Sequence, residues 1–568
     1  MDRDAIDQEL TVLAGNRRSW ARLPILRKLE YLLSMRRLIG QHAAEWVAKA
    51  VAGKGIPPES EWAGEEWISG PYAVLASINA MSATLQALAE GKDSLQGAEV
   101  RTRGGGQVVV DVFPQTIYDR LLLNGYTAEV WMQPEVTVAD LRTHVASFYK
   151  QPEPEGVVGV ILGAGNVSSI PLLDLLSKMF IEGQVVIVKM NPVNDYLGPV
   201  FEKIASELIR DGFVRFAYGG TDVGQYLTEH DLVDAIHVTG TARTHGAIVF
   251  GSGEMGADRK ARNEPILTKS ITSELGGVSP TIVVPGPWSD RDIAYQAEHL
   301  ATQKFHNGGF NCIASQVLVL PEGWSGSARL LDGLRETIRA TPNRTAYYPG
   351  ADQRQADALA KYPAAEVFDE GPVPRTLITN VDATGDDDYC FTTEFFGSVY
   401  ATTNLPAPDA PTFLREAVRF ANERLAGTLG AQLLIHPLTI RELGPALEDA
   451  IADLEYGSVG VNAWTGAAYL LPTAAWGAYP GHSLADVGSG LGAVHNALMF
   501  DRPEKTVVRA PFFPFPRTLI KGQFHLSPKP PWFVTHGRAD KTGERLTRFA
   551  VDPGFRHLPG IFAAALRH

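Results

Sequence analysis

The apolar positions of this chain change their spacing twice, and each change predicts a different kind of element. Leu23–Ile39 repeats apolar residues every three or four positions among arginines, with Pro24 where a helix can begin. Tyr72–Leu88 repeats that spacing with smaller residues, so both stretches predict helices. After Gly104-Gly105-Gly106 come the apolar-rich runs Val108–Val112, Ile117–Leu123 and Tyr126–Trp131. Asn124-Gly125 between the last two is a hairpin signal, so residues 106–132 are expected to form an extended β-ribbon. From Gly156 the unbroken apolar runs Val157–Leu162, Val185–Val188 and Ala235–Thr239 alternate with the helical stretches Pro171–Phe180 and Val200–Arg210. Apolar strands joined through helices and Gly-rich turns predict parallel βαβ units covered on both faces. A second α/β block is expected from about Pro280 to Ala493. A strand at Thr506–Ala510 and a tail rich in proline and aromatics, Phe512 to Phe533 among them, follow it.

Length and composition narrow the class. At 568 residues the chain is too long for one core, and 45% hydrophobic with 20% charged residues reads as a globular protein of several domains. No stretch reaches the roughly 18 uninterrupted apolar residues of an integral membrane segment. The acidic start Met1–Asp7 predicts no secretory leader. Two cysteines predict a reducing, cytoplasmic setting without a disulfide framework, and no metal is expected. A net charge of −13 argues against nucleic acid as a partner. Residues 494–568 run the other way, with 12 Lys/Arg against 5 Asp/Glu, and this basic tail is expected to lie on the acidic body.

Two short stretches carry chemistry. Ser273-Glu274-Leu275-Gly276-Gly277 places an acid at a Gly-Gly turn, and Asn307-Gly308-Gly309-Phe310-Asn311-Cys312 places a thiol after another Gly-rich turn. A thiol and a carboxylate on backbone that approaches a ligand closely suit nucleophilic addition to a carbonyl, with the acid as base. Cys390 has no such flank and is assigned to the core. Asn166, in Gly163-Ala164-Gly165-Asn166, directly follows the strand Val157–Leu162, where open α/β sheets bind ligands. Its amide suits an oxygen that becomes negative during addition. Thr239-Gly240-Thr241, ahead of Gly246, suits a helix N-terminus beneath a pyrophosphate.

Together these stretches resemble the Glu-Leu-Gly-Gly and Gly-Gln-x-Cys signatures of the aldehyde dehydrogenase superfamily, over roughly residues 20 to 510. Asn166 precedes the strand-end Lys189 by 23 positions, as in that family. The resemblance implies an α/β fold with a Rossmann-like cofactor domain (1–105 and 133–281) and an α/β catalytic domain (282–493). It further implies a β-ribbon oligomerisation arm (106–132 and 494–515) that pairs with a partner subunit in a homodimer or homotetramer. Residues 516–568 extend beyond the usual family length. The implied activity is NAD- or NADP-dependent oxidation of an aldehyde, with Cys312 as nucleophile, Asn166 as oxyanion donor and Glu274 as base. Lys189, Thr239, Gly240, Thr241, Gly246 and Gly276 would hold the cofactor. Thr393-Glu394-Phe395-Phe396-Gly397 resembles a family motif in which Glu394 holds the nicotinamide ribose and Phe396 supports the ring.

The chain also departs from the pattern. Gly165 and Val167-Ser168-Ser169-Ile170-Pro171 replace the aromatic neighbours of the catalytic Asn, and Phe310-Asn311 stand in the stretch that usually carries Gln. Pro192 replaces a ribose-binding Glu, which makes NADP admissible. The Gly240–Gly246 loop is one residue longer than usual, bringing Arg243 or His245 toward a phosphate. Two alternatives follow: an acyl-CoA reductase or CoA-acylating relative, and a catalytically silent binding or structural protein.

Overall fold

The computed structural model describes residues 2–371, 373–385, 387–521 and 524–567; the outer ends of the expected spans, Met1 and His568, lie outside the described residues. A six-stranded sheet runs in the order Gly490–Leu491, Ser270–Leu275, Ala235–Gly240, Val157–Leu162, Gln184–Lys189, Val214–Ala217. All neighbours are parallel except the short Gly490–Leu491. Its central strands are apolar without alternation because both faces are covered, and Val158, Val160, Val185, Val186 and Ile187 have no solvent exposure. Chain order reverses between Val157–Leu162 and Ala235–Gly240. Beyond the carboxyl ends of those two strands lie Gly163–Asn166 and Gly240–Thr241, the crevice in which such sheets bind ligands.

Ser270–Leu275 leads across Gly276-Gly277 into Ser279–Val283, a middle strand of an eleven-stranded sheet. Six of its strands, Ser458–Val461, Gly430–Leu434, Ser279–Val283, Ser315–Pro321, Val399–Leu405 and Thr376–Val381, are parallel in that spatial order. Carboxyl ends of the first sheet therefore face amino ends of the second, and the site lies between them.

The ribbon differs from expectation in one element. Ile117–Leu122 is a helix, not a strand. Thr116 and Asp119 form a reciprocal capping box at its start, and Asn124-Gly125 closes its end, with Gly125 at φ 87° supplying the left-handed turn. The capping signal thus outweighs the hairpin signal. The ribbon strands Val108–Phe113 and Thr127–Met132 form close to where the sequence places them. They pair with each other and with Pro503–Arg509, which lies parallel to Ser458–Val461 of the same chain.

The N-terminal helices form close to where the spacing predicts, as Ile25–Gly53 and Ala73–Ala89. Val200–Arg210 is broken at Ala205 into Gly198–Ile204 and Ser206–Arg210. One helical run, Ala63–Ala89, is long and apolar enough to cross a membrane by length and composition, at mean hydropathy 1.2. It is interrupted at Gly70-Pro71, carries the buried Glu65 and Glu66, and packs in the core through Val74, Leu75 and Ile78. The basic tail lies on the acidic body as expected: Arg517 pairs with Asp292, and Lys529 with Glu298 at 2.7 Å. Its helices Ala539–Val551 and Leu558–Ala565 return to the N-terminal block. A Cβ at Gly64 would overlap the Ala539 backbone, so glycine permits this approach.

Candidate active site

Cys312 stands between the helix Asp290–Phe305 and the strand Ser315–Pro321. The helix starts at a Ser289–Asp292 capping box, and the turn after it holds Asn307, Gly308 and Gly309 at φ 56°, 66° and 81°. Gly309 has no room for a side chain, because the Gly397 carbonyl would meet it. The thiol is half-buried, whereas Cys390 is fully buried in the core.

Glu274 is the penultimate residue of the strand Ser270–Leu275 rather than a turn residue, and it is 5% exposed. Its carboxyl lies against the Cys312 thiol. Burial raises the Glu274 pKa to about 7, and the charge of Asp174 adds to the rise, while the Cys312 thiol and the Trp476 indole oppose it. Burial, then the Glu274 carboxylate, pushes the Cys312 thiol well above its usual value. The resting pair is therefore a protonated thiol beside a base poised near neutrality.

Asn166 is buried against the turn that carries Cys312. Its Nδ2 donates to the Phe310 carbonyl at 2.9 Å, and its own carbonyl accepts from Asn307 Nδ2 at 3.0 Å and the Tyr347 hydroxyl at 2.9 Å. A side-chain amide carries two N–H groups, so one donor of Asn166 remains for a ligand oxygen. Asn307, which sequence reasoning quoted without assigning a role, also donates to the Phe310 carbonyl at 3.1 Å. It accepts from Lys54 at 3.0 Å, and its main-chain N–H donates to Glu65 at 3.1 Å. Lys54 pairs with Glu66 at 2.6 Å, and Glu65 with Arg344, all buried or nearly so. Nothing in the spacing of residues 54–66 signals this clamp.

The expected cofactor residues fall into two groups, one at the ends of the strands of the first sheet and one at the Gly276–Glu394 contact. Lys189 ends its strand largely buried; burial lowers its pKa, while the charges of Asp222 and Asp195 raise it. Thr241 caps the helix Ala242–Phe250 by accepting from Thr244 N at 3.1 Å, and Gly240 is exposed just before it. The loop expected from Gly240 to Gly246 is therefore reduced to Thr241, and Gly246 lies inside the helix with open space around its Cα. His245 turns away from the loop, with Nε2 3.3 Å from the Leu484 carbonyl, while Arg243 is exposed. Thr239 is buried, and its hydroxyl donates to Asp174 at 3.1 Å. Asp174 also lies 3.5 Å from His237 and 3.4 Å from His495, and these histidines hold its carboxyl below the usual range although burial alone would raise it.

In the second group the Glu394 carboxylate presses on Gly276, where a Cβ would overlap it. Burial raises Glu394 to about 8, Lys304 opposing and Glu274 reinforcing the shift, and its Oε1 has no hydrogen-bond partner. Phe396, at φ 39°, packs edge-on to Tyr348 at 4.9 Å. An unpartnered carboxylate oxygen in one group, and a buried lysine with a capped helix start in the other, fit a dinucleotide.

The family model described as aldehyde dehydrogenase family matches residues 76–477, more than half of the chain. The chain belongs to the aldehyde dehydrogenase family. A probable coniferyl aldehyde dehydrogenase of Pseudomonas aeruginosa is 27% identical over 312 residues, 52% of this chain and 59% of that protein. Aldehyde dehydrogenase family 2 member C4 of Arabidopsis thaliana is 26% identical over 257 residues, 44% of this chain and 47% of that protein. The matched stretch thus spans about half the length of these curated relatives. Among solved structures, the aldehyde dehydrogenase KauB from Pseudomonas aeruginosa superposes with a TM-score of 0.59 at 18% identity, covering 89% of this chain and 88% of that one. A Mycobacterium tuberculosis aldehyde dehydrogenase complexed with NAD+ gives 0.59 at 17% identity, covering 88% of each chain. At these identities the structures speak for the fold alone. The Rossmann-like sheet and α/β catalytic sheet are those of this family. Residues 478–568 lie outside the family match.

Proposed function

We propose that this protein oxidises an aldehyde to its carboxylic acid with NAD or NADP as acceptor. The observation that carries this reading is the contact of Glu274 with the Cys312 thiol, on a turn to which the Asn166 amide is bonded through the Phe310 carbonyl. Glu274 takes the thiol proton, and the sulfur adds to the aldehyde carbon to give a thiohemiacetal. The free amide N–H of Asn166 and the Cys312 main-chain N–H donate to the new oxyanion. NAD or NADP held by the cofactor residues would supply the acceptor for the hydride lost from the thiohemiacetal carbon. That leaves a thioester on Cys312. Once it has released the thiol proton to solvent, Glu274 takes a proton from water, whose oxygen attacks the thioester carbon; the acid departs and Glu274 returns that proton to the sulfur. Lys189, Gly240, Thr241, Gly246 and Gly276 would line the dinucleotide, Thr239 would support their loop through Asp174, and Glu394 and Phe396 would hold the ribose and ring.

Glu274 disfavours thiol exchange with CoA, which needs no water-activating carboxylate, and a silent protein would not require the paired thiol and base. Two free cysteines fit a cytoplasmic setting. A homodimer or homotetramer is the assembly the family resemblance implies, with the ribbon as the arm between subunits. The test is formation of reduced nicotinamide from short, long-chain and aromatic aldehydes with NAD or NADP, each with and without CoA. Turnover without CoA that disappears in Cys312→Ala supports the reading. Turnover that requires CoA, or that survives in Cys312→Ala, overturns it.

A further inference from the structure

The helix Asp290–Phe305 leads directly into the turn of Cys312, and one of its stripes faces the C-terminal extension. Asp292, Tyr295, Gln296, His299 and Thr302 recur there at three- and four-residue spacing. Their partners come from residues 512–534, outside the stretch that matches the family. Gln296 Nε2 donates to the Phe512 carbonyl at 2.9 Å, and the Val534 main-chain N–H donates to the Thr302 hydroxyl at 3.1 Å. Phe533 stacks on Tyr295 and His299, with ring centres 5.4 and 5.3 Å apart, and Arg517 pairs with Asp292. Beside the stripe, Glu298 accepts from Lys529 at 2.7 Å and from the Thr535 hydroxyl. Gln296, His299 and Thr302 are buried, so this polar stripe meets backbone and ring partners of the extension in place of water.

A second grip reaches the same turn by another route. The extension's helix Ala539–Val551 crosses the short helix Ala63–Trp67 where each has a glycine. A Cβ on Gly64 would overlap the Ala539 backbone, and one on Gly543 would meet the Trp67 side chain. The short helix carries Glu65, which accepts the Asn307 main-chain N–H, and Glu66, which pairs with Lys54 where Lys54 donates to the Asn307 side chain. Val534 comes closer still. With Gly308 and Phe310 of the turn it lines a cavity of about 30 Å³. None of these contacts involves the strands expected to hold the cofactor.

We propose that the extension is a positioning brace for Cys312. Residues 512–535 fix the helix ahead of the thiol turn, residues 539–543 fix the acids that hold Asn307, and together they keep the thiol within reach of Glu274. This role rests on the aldehyde-oxidising reading, so its test includes a readout without turnover. Two full-length variants loosen the brace from the extension's side: Phe533→Leu removes the ring stack, and Lys529→Met with Thr535→Val releases Glu298. In hydrogen–deuterium exchange the peptide spanning 306–314 is expected to exchange about tenfold faster in both, while that spanning 235–246 keeps its wild-type rate. For an aldehyde that the wild type oxidises, kcat is expected to fall about tenfold or more, with KM for the dinucleotide within about twofold, because the nucleophile is misplaced and the cofactor strands are not. Phe533→Tyr keeps a stacking ring and is expected to hold both readouts at the wild-type level.

Unchanged exchange at 306–314 in both variants, or faster exchange there with kcat intact, overturns the brace. Exchange that speeds up evenly along the whole chain also overturns it, since the extension would then serve general stability alone. If the wild type oxidises no aldehyde while the turn peptide still follows the variants, the brace stands and the oxidation reading falls instead.

Discussion

Asn307 donates its side-chain amide to the main-chain carbonyl of Asn166 at 3.0 Å, which ties the turn that carries the thiol to the loop that carries the candidate oxyanion donor. The same amide reaches the Phe310 carbonyl at 3.1 Å, the group to which Asn166 Nδ2 also donates. Two loops from different sheets are thereby fixed by one side chain that touches no reacting atom. Asn307→Ala is expected to lower kcat by about a hundredfold, the scale of a 1 Å misplacement, with a smaller effect on KM. Equal loss in kcat and in cofactor binding, read by fluorescence titration, would mean that the variant disrupts the cleft as a whole.

Behind Asn307 the Lys54–Glu66 pair, at 2.6 Å and with both side chains almost wholly buried, anchors the clamp to the N-terminal helices. Removing one member leaves a buried charge without its partner. Glu66→Gln is therefore expected to destabilise the fold by about 3–5 kcal/mol. Replacing Lys54 by Met together with Glu66 by Leu should recover most of that loss, since an apolar pair of similar volume replaces both charges. Chemical denaturation of the single and double variants checks this. A double variant no more stable than the single one would show that Lys54 matters through its bond to Asn307.

Glu274 gives a pH dependence whose sign can be worked out. Its pKa is raised by burial from 4.5 to about 7, so the folded state binds this proton more tightly than the unfolded chain does. Its contribution to stability is present below about pH 4.5 and is lost as pH rises through about 7, amounting to roughly 3 kcal/mol. Glu394, raised to about 8, acts in the same direction. The unfolding midpoint is expected to fall between pH 5 and 8, with a shallower slope in Glu274→Gln. Activity moves the opposite way, because the base acts only when ionised. The limiting rate should rise through about pH 7 in the wild type, and that inflection should be missing from the residual rate of Glu274→Gln. A wild-type rate that is flat from pH 6 to 8 would remove Glu274 as the base.

Asp222 and Asp195 both lie close enough to Lys189 to raise its pKa against burial. These carboxylates offer acceptors to ribose hydroxyls and repel a phosphate on the same ribose. Asp195, three positions on, and Asp222 would then offset Pro192, which in the sequence pattern made NADP admissible. NAD is expected to be preferred over NADP by tenfold or more in kcat/KM, and Asp222→Asn to shrink that preference. Equal use of both cofactors by the wild type would show that the acids do not face the ribose.

The site was legible in the sequence where its geometry is local. Cys312, Glu274, Asn166 and Lys189 stand at strand ends or Gly-rich turns, and backbone that must bend sharply leaves glycines as a trace. Tertiary contacts left no such trace: Asn307 meets Lys54 across 253 positions, and the Asp174 cluster draws on residues 237, 239 and 495. Ile117–Leu122 was misread because six apolar-rich residues fit a strand or a helix equally well, and only Thr116 and Asp119 decide it. The extension was opaque for a further reason. Its prolines and aromatics have no period, and their partners are remote in sequence: Phe533 stacks on Tyr295 and His299, more than 230 residues earlier, and Trp532 meets Tyr126, more than 400 residues earlier.

The parallel pairing of Pro503–Arg509 with Ser458–Val461 places Val459 opposite Val507 within one chain. If that pairing is made in cis in solution, cysteines at the two positions will join intramolecularly, since paired strand positions lie within reach of a disulfide. Val459→Cys with Val507→Cys, in a Cys390→Ala background, is expected to run at the mass of one chain on a non-reducing denaturing gel after mild oxidation. A ribbon exchanged between subunits would instead give a covalent dimer from the same pair of cysteines. Because exchange conserves every strand contact and alters only which chain supplies it, the crosslink separates the two arrangements where native mass does not. A predominant dimer band, abolished when either cysteine is reverted, would overturn the cis pairing and return the ribbon to the role of an arm between subunits.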